Sequence, residues 1–307
     1  MGTYTARRLL QMIPVFIGAT LIIFFMVFAI PGDPIQAMAG ERRLNEATLT
    51  AIRDRYNLND PFLIQYVKYL AGVVTGDFGR AFNGREVADI IRDTFPVTLR
   101  LAAVAFVFEA IIGGIAGVLA GLRRGSFIDN LVLVSTTAII SIPVFVLGYA
   151  LQLVVGVRFD LLPIAGIRDG WISFIMPGFV LGAVSLAYIA RLLRTSLVEN
   201  LQADYIRTAT SKGLSRFRVV GRHGLRNSLI PVVTYLGIDL GTLMAGAIIT
   251  EGIFNIPGVG GAVFDAIRQQ ETPVVVGIVT ILVIVFIVAN LLVDLLYGVL
   301  DPRIRYE

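Results

Sequence analysis

Apolar residues in this chain come in long unbroken runs, not in the alternation of a half-buried strand or the narrow stripe of a surface helix. Six runs stand out: Leu9 to Ile30, Leu101 to Leu122, Leu131 to Val155, Ile172 to Leu193, Ser228 to Ile249 and Val274 to Leu296. A helix rises about 1.5 Å per residue and the hydrocarbon core of a bilayer is about 30 Å thick, so roughly 20 apolar residues make one crossing. Lipid offers the backbone no hydrogen-bond partner, and each run must therefore close its bonds internally as helix; the alternation of a membrane barrel is absent. The pattern predicts an all-α integral membrane protein with six transmembrane helices.

Between the first two runs lies a long polar stretch that still carries helix-spaced apolar residues, over Leu44 to Tyr56 and Pro61 to Val74. Asn59-Asp60-Pro61 separates these as a turn and helix start. The expected division is a transmembrane helix over residues 1–30, an external helical segment over 31–97, and a five-helix core over 98–307. Arg7 and Arg8 before the first run, and Ala37-Met38-Ala39 after it, have some features of a secretory signal. That run is about 22 residues long against the 7–15 of a signal peptide, and Pro31-Gly32-Asp33-Pro34 intervenes, so a retained helix is expected.

Composition narrows the function. Of 307 residues 56% are hydrophobic and only 16% charged, where soluble domains carry about 25% charge. There is no Cys and a single His, which excludes disulfides, thiolate metal sites, a cysteine nucleophile and an HExxH zinc site. The net charge of +4 is too mild to suggest nucleic acid, but its placement is informative. Fourteen Lys and Arg residues flank the runs on one side, at Arg7, Arg8, Arg123, Arg124, through the loop from Arg191 to Arg226, and at Arg303 and Arg305; the opposite short loops hold only Arg158, Arg168 and Arg268. Basic loops stay inside, so both termini are expected to be cytoplasmic.

Catalytic signatures are missing. No Gly-Lys dipeptide exists to build a Walker A loop, and Gly213-Leu214-Ser215-Arg216-Phe217 fails as a nucleophile elbow at its last position. The chain is not expected to be an enzyme, nor to bind a cofactor itself. Two acids, Glu109 and Asp239, fall near the middle of their runs, about 12 and 16 Å in by helix rise. Ionisable groups at that depth are costly. They are either hydrogen-bonded between helices or held protonated, or else they line a proton or substrate path.

The stretch 201–228 is too polar to cross a membrane and too regular to be a simple connector. A short helix enters at Asp204 and passes Arg207 and Ala209. Lys212 and then Gly213, in a left-handed capping position, end it; after Leu214 a second, basic, amphipathic helix runs from Arg216 toward Pro231. The result is a helical knob. An Arg-rich loop is either a determinant of topology or a docking element.

These residues resemble the permease subunits of binding-protein-dependent ABC importers, and within them the oligopeptide/dipeptide branch. The family loop reads Glu-Ala-Ala, three residues, Gly, nine residues, then Ile-x-Leu-Pro. Here Gly213 and Ala209 match, Arg207 and Thr208 replace the Glu and first Ala, and Arg222-His223-Gly224-Leu225-Arg226-Asn227 replaces the ending. Pro31-Gly32-Asp33-Pro34, Gly76-Asp77-Phe78-Gly79, Pro96-x-Thr98-x-x-Leu101-Ala102 and Glu251-x-Ile253-Phe254-Asn255-Ile256-Pro257-Gly258-x-Gly260 occur in the order of that branch. The resemblance implies a methionine-permease-like fold with an external helical insertion, in the plasma (inner) membrane of a prokaryote. It implies half of a peptide pathway, completed by a second six-helix permease, two cytoplasmic ABC ATPases that bind the ATP, and an external peptide-binding protein. Asp204, Arg207, Ala209, Lys212, Gly213, Leu214 and Arg216 would form the ATPase-coupling loop. The same type of permease also serves nickel complexes, glutathione and other small solutes. A proton-coupled secondary transporter using Glu109 and Asp239 is the rival reading.

Overall fold

The computed structural model describes residues 2–29 and 59–300. The helix expected at Leu44 to Tyr56, the Pro31 to Pro34 motif, and Arg303 and Arg305 lie outside the described residues.

All described regular structure is helical apart from one isolated bridge between Arg80 and Glu86. Helix α1 spans Gly2–Ala29 and α2 spans Phe62–Thr75. Helix α3, Val87–Phe108, runs through one π-helical turn, Glu109–Gly113, into α4, Gly114–Leu122. Next come α5, Phe127–Ser141, and α6, Val144–Leu151, which ends in a second π-helical stretch to Arg158. A 3₁₀ turn leads into α7, Ile175–Gln202, followed by α8, Asp204–Ser211. The short α9, Arg216–Arg218, continues through a π-helical stretch into α10, Arg226–Phe254; α11, Val259–Arg268, and α12, Thr272–Leu300, complete the order.

Among the described residues five helices are long and apolar enough to cross a membrane, and two bent helix pairs would add one span each. The first, second, fourth, fifth and sixth expected runs coincide with the five. The third does not: Leu131 to Val155 is divided between α5 and α6, which meet at 104°. Pro143 is the cause. It has no N–H to donate and pushes the residue before it out of the helical region, and Ile142 sits extended at φ −92°, ψ 124°. Helix α11 was not expected; it follows a left-handed Asn255 at φ 47° and the Ile256-Pro257-Gly258 break.

The chain divides into two compact units, residues 1–98 with 257–291, and residues 99–256 with 292–307. In the first, Phe24 of α1, Tyr66 of α2 and Val276 of α12 form a buried cluster. The Tyr66 hydroxyl donates to Ile17 O at 2.9 Å, and Tyr69 donates to Thr280 Oγ1 at 2.8 Å. Two of the sequence motifs are explained here. Thr98 Oγ1 accepts from Val259 N at 2.8 Å, capping the start of α11. The turn at Gly76 to Gly79 lies so close to α12 that a Cβ on Gly277 would stand 2.4 Å from Phe78 O.

The second unit is organised around α7. In an 18-residue apolar window along it 61% of the residues are buried, against 11% in the matching window of α1. Gly113, Gly117 and Gly121 lie four residues apart on one face and bring the π turn and α4 against α7. A Cβ would meet Leu186 O at 2.8 Å from Gly113 and Ala190 O at 2.8 Å from Gly117. Gly182 of α7 returns the contact, its missing Cβ 2.8 Å from Ala105 O of α3. Small residues let helix backbones approach in lipid, where no hydrophobic drive separates helix from tail and packing must hold the pair.

Candidate functional site

The knob is built as an independent small fold at the end of α7. Helix α8 begins directly after Ala203, which is extended at φ −69°, ψ 151°. Its buried face is Ile206 and Ala209, which pack with Val219 under the half-buried Leu214. At its end Gly213 adopts φ +79°, the left-handed conformation its sequence position suggested. Gly213 N donates to Thr210 O at 3.0 Å and Leu214 N donates to Ala209 O at 3.4 Å. This is a Schellman cap, with Leu214 folding back over the helix as the motif requires. Tyr205 donates to Asn200 Oδ1, tying α8 to α7. On the return limb a Cβ at Gly224 would stand 2.9 Å from Leu201 Cδ2.

The expected coupling residues therefore sort into two groups. Ala209 and Leu214 hold the knob together, while Asp204, Arg207, Lys212, Gly213 and Arg216 are exposed. The Asp204 and Arg207 side chains are 96% and 78% exposed and stand 3.6 Å apart, a pair worth little to stability. Phe217, which no sequence motif marks, is 90% exposed beside Arg216 and Arg218. A large aromatic held in water on a charged knob has no role in the chain's own packing. The second helix of the knob is also not the separate element expected: α9 and its π-helical stretch run without a break into α10, with Pro231 inside the helix. Pro231, which has no N–H to donate, therefore lies inside a continuous helical run and omits one of its backbone bonds.

Glu109 and Asp239 stand together, separated by 130 positions in sequence. Glu109 opens the π turn and is fully buried; Asp239, on α10, is 4% exposed, and the two carboxyl groups act on each other directly. Tyr235 stacks on Tyr188 with ring centroids 4.4 Å apart, and its hydroxyl lies 3.4 Å from Ser185 Oγ. A third acid was not singled out in the sequence. Asp129 of α5 takes a two-pronged contact from Arg194 of α7, Nε to Oδ1 at 2.9 Å and Nη2 to Oδ2 at 2.8 Å, and a further bond from Gly125 N at 2.8 Å. Arg194, one of the fourteen basic residues that suggest the topology, is a strut between α5 and α7. Among the described residues no group of three or more His, Asp or Glu side chains is placed to hold a metal ion.

Comparison with known families settles what kind of machine this is. The family described as "Binding-protein-dependent transport system inner membrane component" matches residues 113–306, and its N-terminal companion matches residues 1–102. The chain belongs to this permease family. It is a multi-pass inner-membrane permease of an ABC importer, of the peptide/glutathione branch, and such permeases are not catalytic. It is 39% identical to the dipeptide transport system permease protein DppB of Escherichia coli K12 over 335 aligned residues, covering 99% of each chain. It is 38% identical to the di/tripeptide permease DppB of Pseudomonas aeruginosa, covering all of both. The glutathione transport system permease protein GsiC of E. coli K12 is 37% identical, again over the full length of both. In fold the permease is similar to a chain of the inward-facing MetNI methionine ABC transporter, with a TM-score of 0.57 at 20% identity, over 69% of this chain and 96% of that one. The expected methionine-permease-like architecture is thus present. Membership implies ABC ATPase partners and a binding protein.

Proposed function

We propose that this permease forms half of a translocation pathway for short peptides and that the knob from Asp204 to Arg216 transmits ATPase motion to the bundle. Short peptides are the chemistry shared by the relatives at 37–39% identity, since glutathione is itself a tripeptide. The observation that carries the coupling role is the knob's construction. Its apolar residues are spent on its own small core and its Schellman cap, leaving Arg207, Lys212, Arg216 and Phe217 directed outward. Helix α7 leads into the knob and α10 leads out of it, so a push on the knob reaches both helices packed in the second unit. Two states of an ATPase that contact the knob differently would bias two arrangements of the helices. The second six-helix permease, the pair of ATPases and the external peptide-binding protein complete the assembly in this reading, and both termini are cytoplasmic.

Gly213→Glu tests it. The substitution adds an unpaired charge at the outer surface of the cap, in a conformation that disfavours any Cβ. The expected result is normal membrane insertion, retained docking of the binding protein, and loss of ATPase co-purification or of substrate-stimulated hydrolysis. Wild-type values in both assays would reduce the knob to a connector. Orientation has its own check, and the absence of native Cys gives it no background. Arg168→Cys and Ser215→Cys both place a thiol at an exposed position. An impermeant maleimide should label the first on intact cells and the second only after lysis; the reverse would invert the topology.

A further inference from the structure

Glu109 and Asp239 form an arrangement that neither packing nor coupling explains. Both are buried in the second unit and meet there: Glu109 from the π turn between α3 and α4, Asp239 from the middle of α10. Both Glu109 carboxyl oxygens and Asp239 Oδ2 are buried with no hydrogen-bond partner. Among the described residues no Lys, Arg or His forms an ion pair with either. The polar group that acts on the pair is the Tyr235 hydroxyl from α10, which in turn reaches Ser185 and whose ring stacks on Tyr188, both from α7. None of them brings a positive charge.

Two carboxyl groups side by side away from water cannot both remain ionised, because each anion lacks solvation and repels the other. Ion pairing would relieve this, but no cationic side chain is in place. One proton removes the mutual repulsion and leaves a single negative charge spread over the pair. It turns one carboxyl into a donor and the other into its acceptor, converting orphaned oxygens into a short hydrogen bond between the segments that carry them. The π turn is what makes the meeting possible. Inserting a residue into the helix at Glu109 changes which side chain points inward, and such turns recur at working sites in helices.

We infer that the Glu109–Asp239 pair is a proton-binding site, in which a single proton shared between the two carboxyl groups ties the π turn to α10. The proton comes from water, and its release leaves two carboxylates side by side. Holding the proton favours the arrangement described; releasing it favours one in which α10 and the π turn separate. The site senses protons without moving them across the membrane, so transport stays driven by ATP while its rate acquires a pH dependence set by this pair.

The decisive measurement is infrared absorption of the purified, membrane-reconstituted permease complex without substrate, at pH 8, where exposed carboxyl groups are ionised. A carbonyl band of a protonated carboxylic acid should be present in the wild type and absent in both Glu109→Gln and Asp239→Asn. The amides are neutral and can still donate, so these variants should insert and fold. Glu109→Asp keeps the acid and should shift the band without removing it, which holds the test open if an amide variant fails to fold. A band indifferent to all three substitutions, or absent from the wild type, overturns the proposal. So does a rise in melting temperature that follows sodium concentration and not pH and is lost in the same variants, since the occupant would then be a metal ion. Because the band is read without substrate or hydrolysis, its absence would leave the coupling role of the knob standing.

Discussion

At Gly117 the backbone is ordinary helix and the surrounding space is full; at Gly213 the backbone is left-handed and the space around it is empty. A Cβ on Gly117 would stand 2.8 Å from both Ala190 O and Leu193 Cβ, while one on Gly213 would meet nothing within 4 Å but would sit at φ +79°. The bundle therefore requires glycine because a neighbouring backbone occupies the side-chain position. The knob requires it because no other residue turns the chain there without strain. The difference separates two parts of one machine: a bundle specified by mutual contact, and a knob specified by its own backbone with its outer face left free.

The bundle side of this contrast breaks most easily. Gly117→Val forces two helix backbones apart and should cost about 3 kcal/mol or more, at the upper end of overpacking, read as loss of a monodisperse, cooperatively melting protein. Neighbouring glycines supply the control. Gly113→Ala should destabilise, because its Cβ would meet Leu186 O at 2.8 Å, whereas Gly114→Ala faces open space and should be neutral. Equal melting temperatures for the two would remove close packing as the reason for the glycines.

Next in size is the strut that fixes α5 to this bundle. Asp129 is nearly fully buried with three bonds, two of them to Arg194. Asp129→Ala should lower stability by about 2 kcal/mol, the scale of a lost charged hydrogen bond. If the cost lies in the partly buried Arg194 left without its partner, Arg194→Ala on top of it should add little, and a thermal double-mutant cycle would show strong coupling. Additive losses would mean that the two side chains act separately.

The knob was legible in sequence and the bundle's interior was not, for a physical reason. Gly213 announces itself locally: a short polar helix, a glycine, then a hydrophobic residue is a capping pattern set by neighbours within five positions. Gly113, Gly117 and Gly121 are filled from α7, about 70 positions away, and a glycine in a long apolar run carries no mark of what approaches it. The same limit applies to charge. Burial depth identified Glu109 and Asp239 as unusual, but only the fold shows that they meet, and Arg194 reads as a topology charge until Asp129 is found against it. Hydropathy weighs composition and so marks the third run as a single straight span; the bend at Ile142 and Pro143 is stereochemistry, visible in the proline but outvoted by the apolar residues on either side.

On the knob side the effects on stability are small and those on function large. Gly213→Ala places a Cβ at positive φ and should cost about 1 kcal/mol locally, with Gly213→Asn milder because Asn tolerates that conformation. The measurement is amide exchange across α8, not global melting, since the strain is confined to one cap. Faster exchange from Ile206 to Leu214 for Ala than for Asn is expected; identical exchange for both would mean that the cap relaxes into another turn.

The smallest stability effect sharpens the contrast furthest. Among the described residues Arg207 forms an ion pair only with the almost fully exposed Asp204, at 3.6 Å, and is not a member of the knob's core of Ile206, Ala209 and Val219. Arg207→Ala should leave the melting temperature unchanged, because water already solvates both charges and holding them together gains little. If the outer face is an ATPase contact, the same substitution should weaken association with the ATPases and make what remains less sensitive to salt, since a screened charge pair has been lost. Arg207→Lys, which keeps the charge but not the planar fork, should fall between the two. A variant that melts like the wild type but associates more weakly places Arg207 on the working surface. One that melts early would show that the outer face, like the bundle, is committed to holding the fold, and the division between the two regions would fail at the position where it is most exposed.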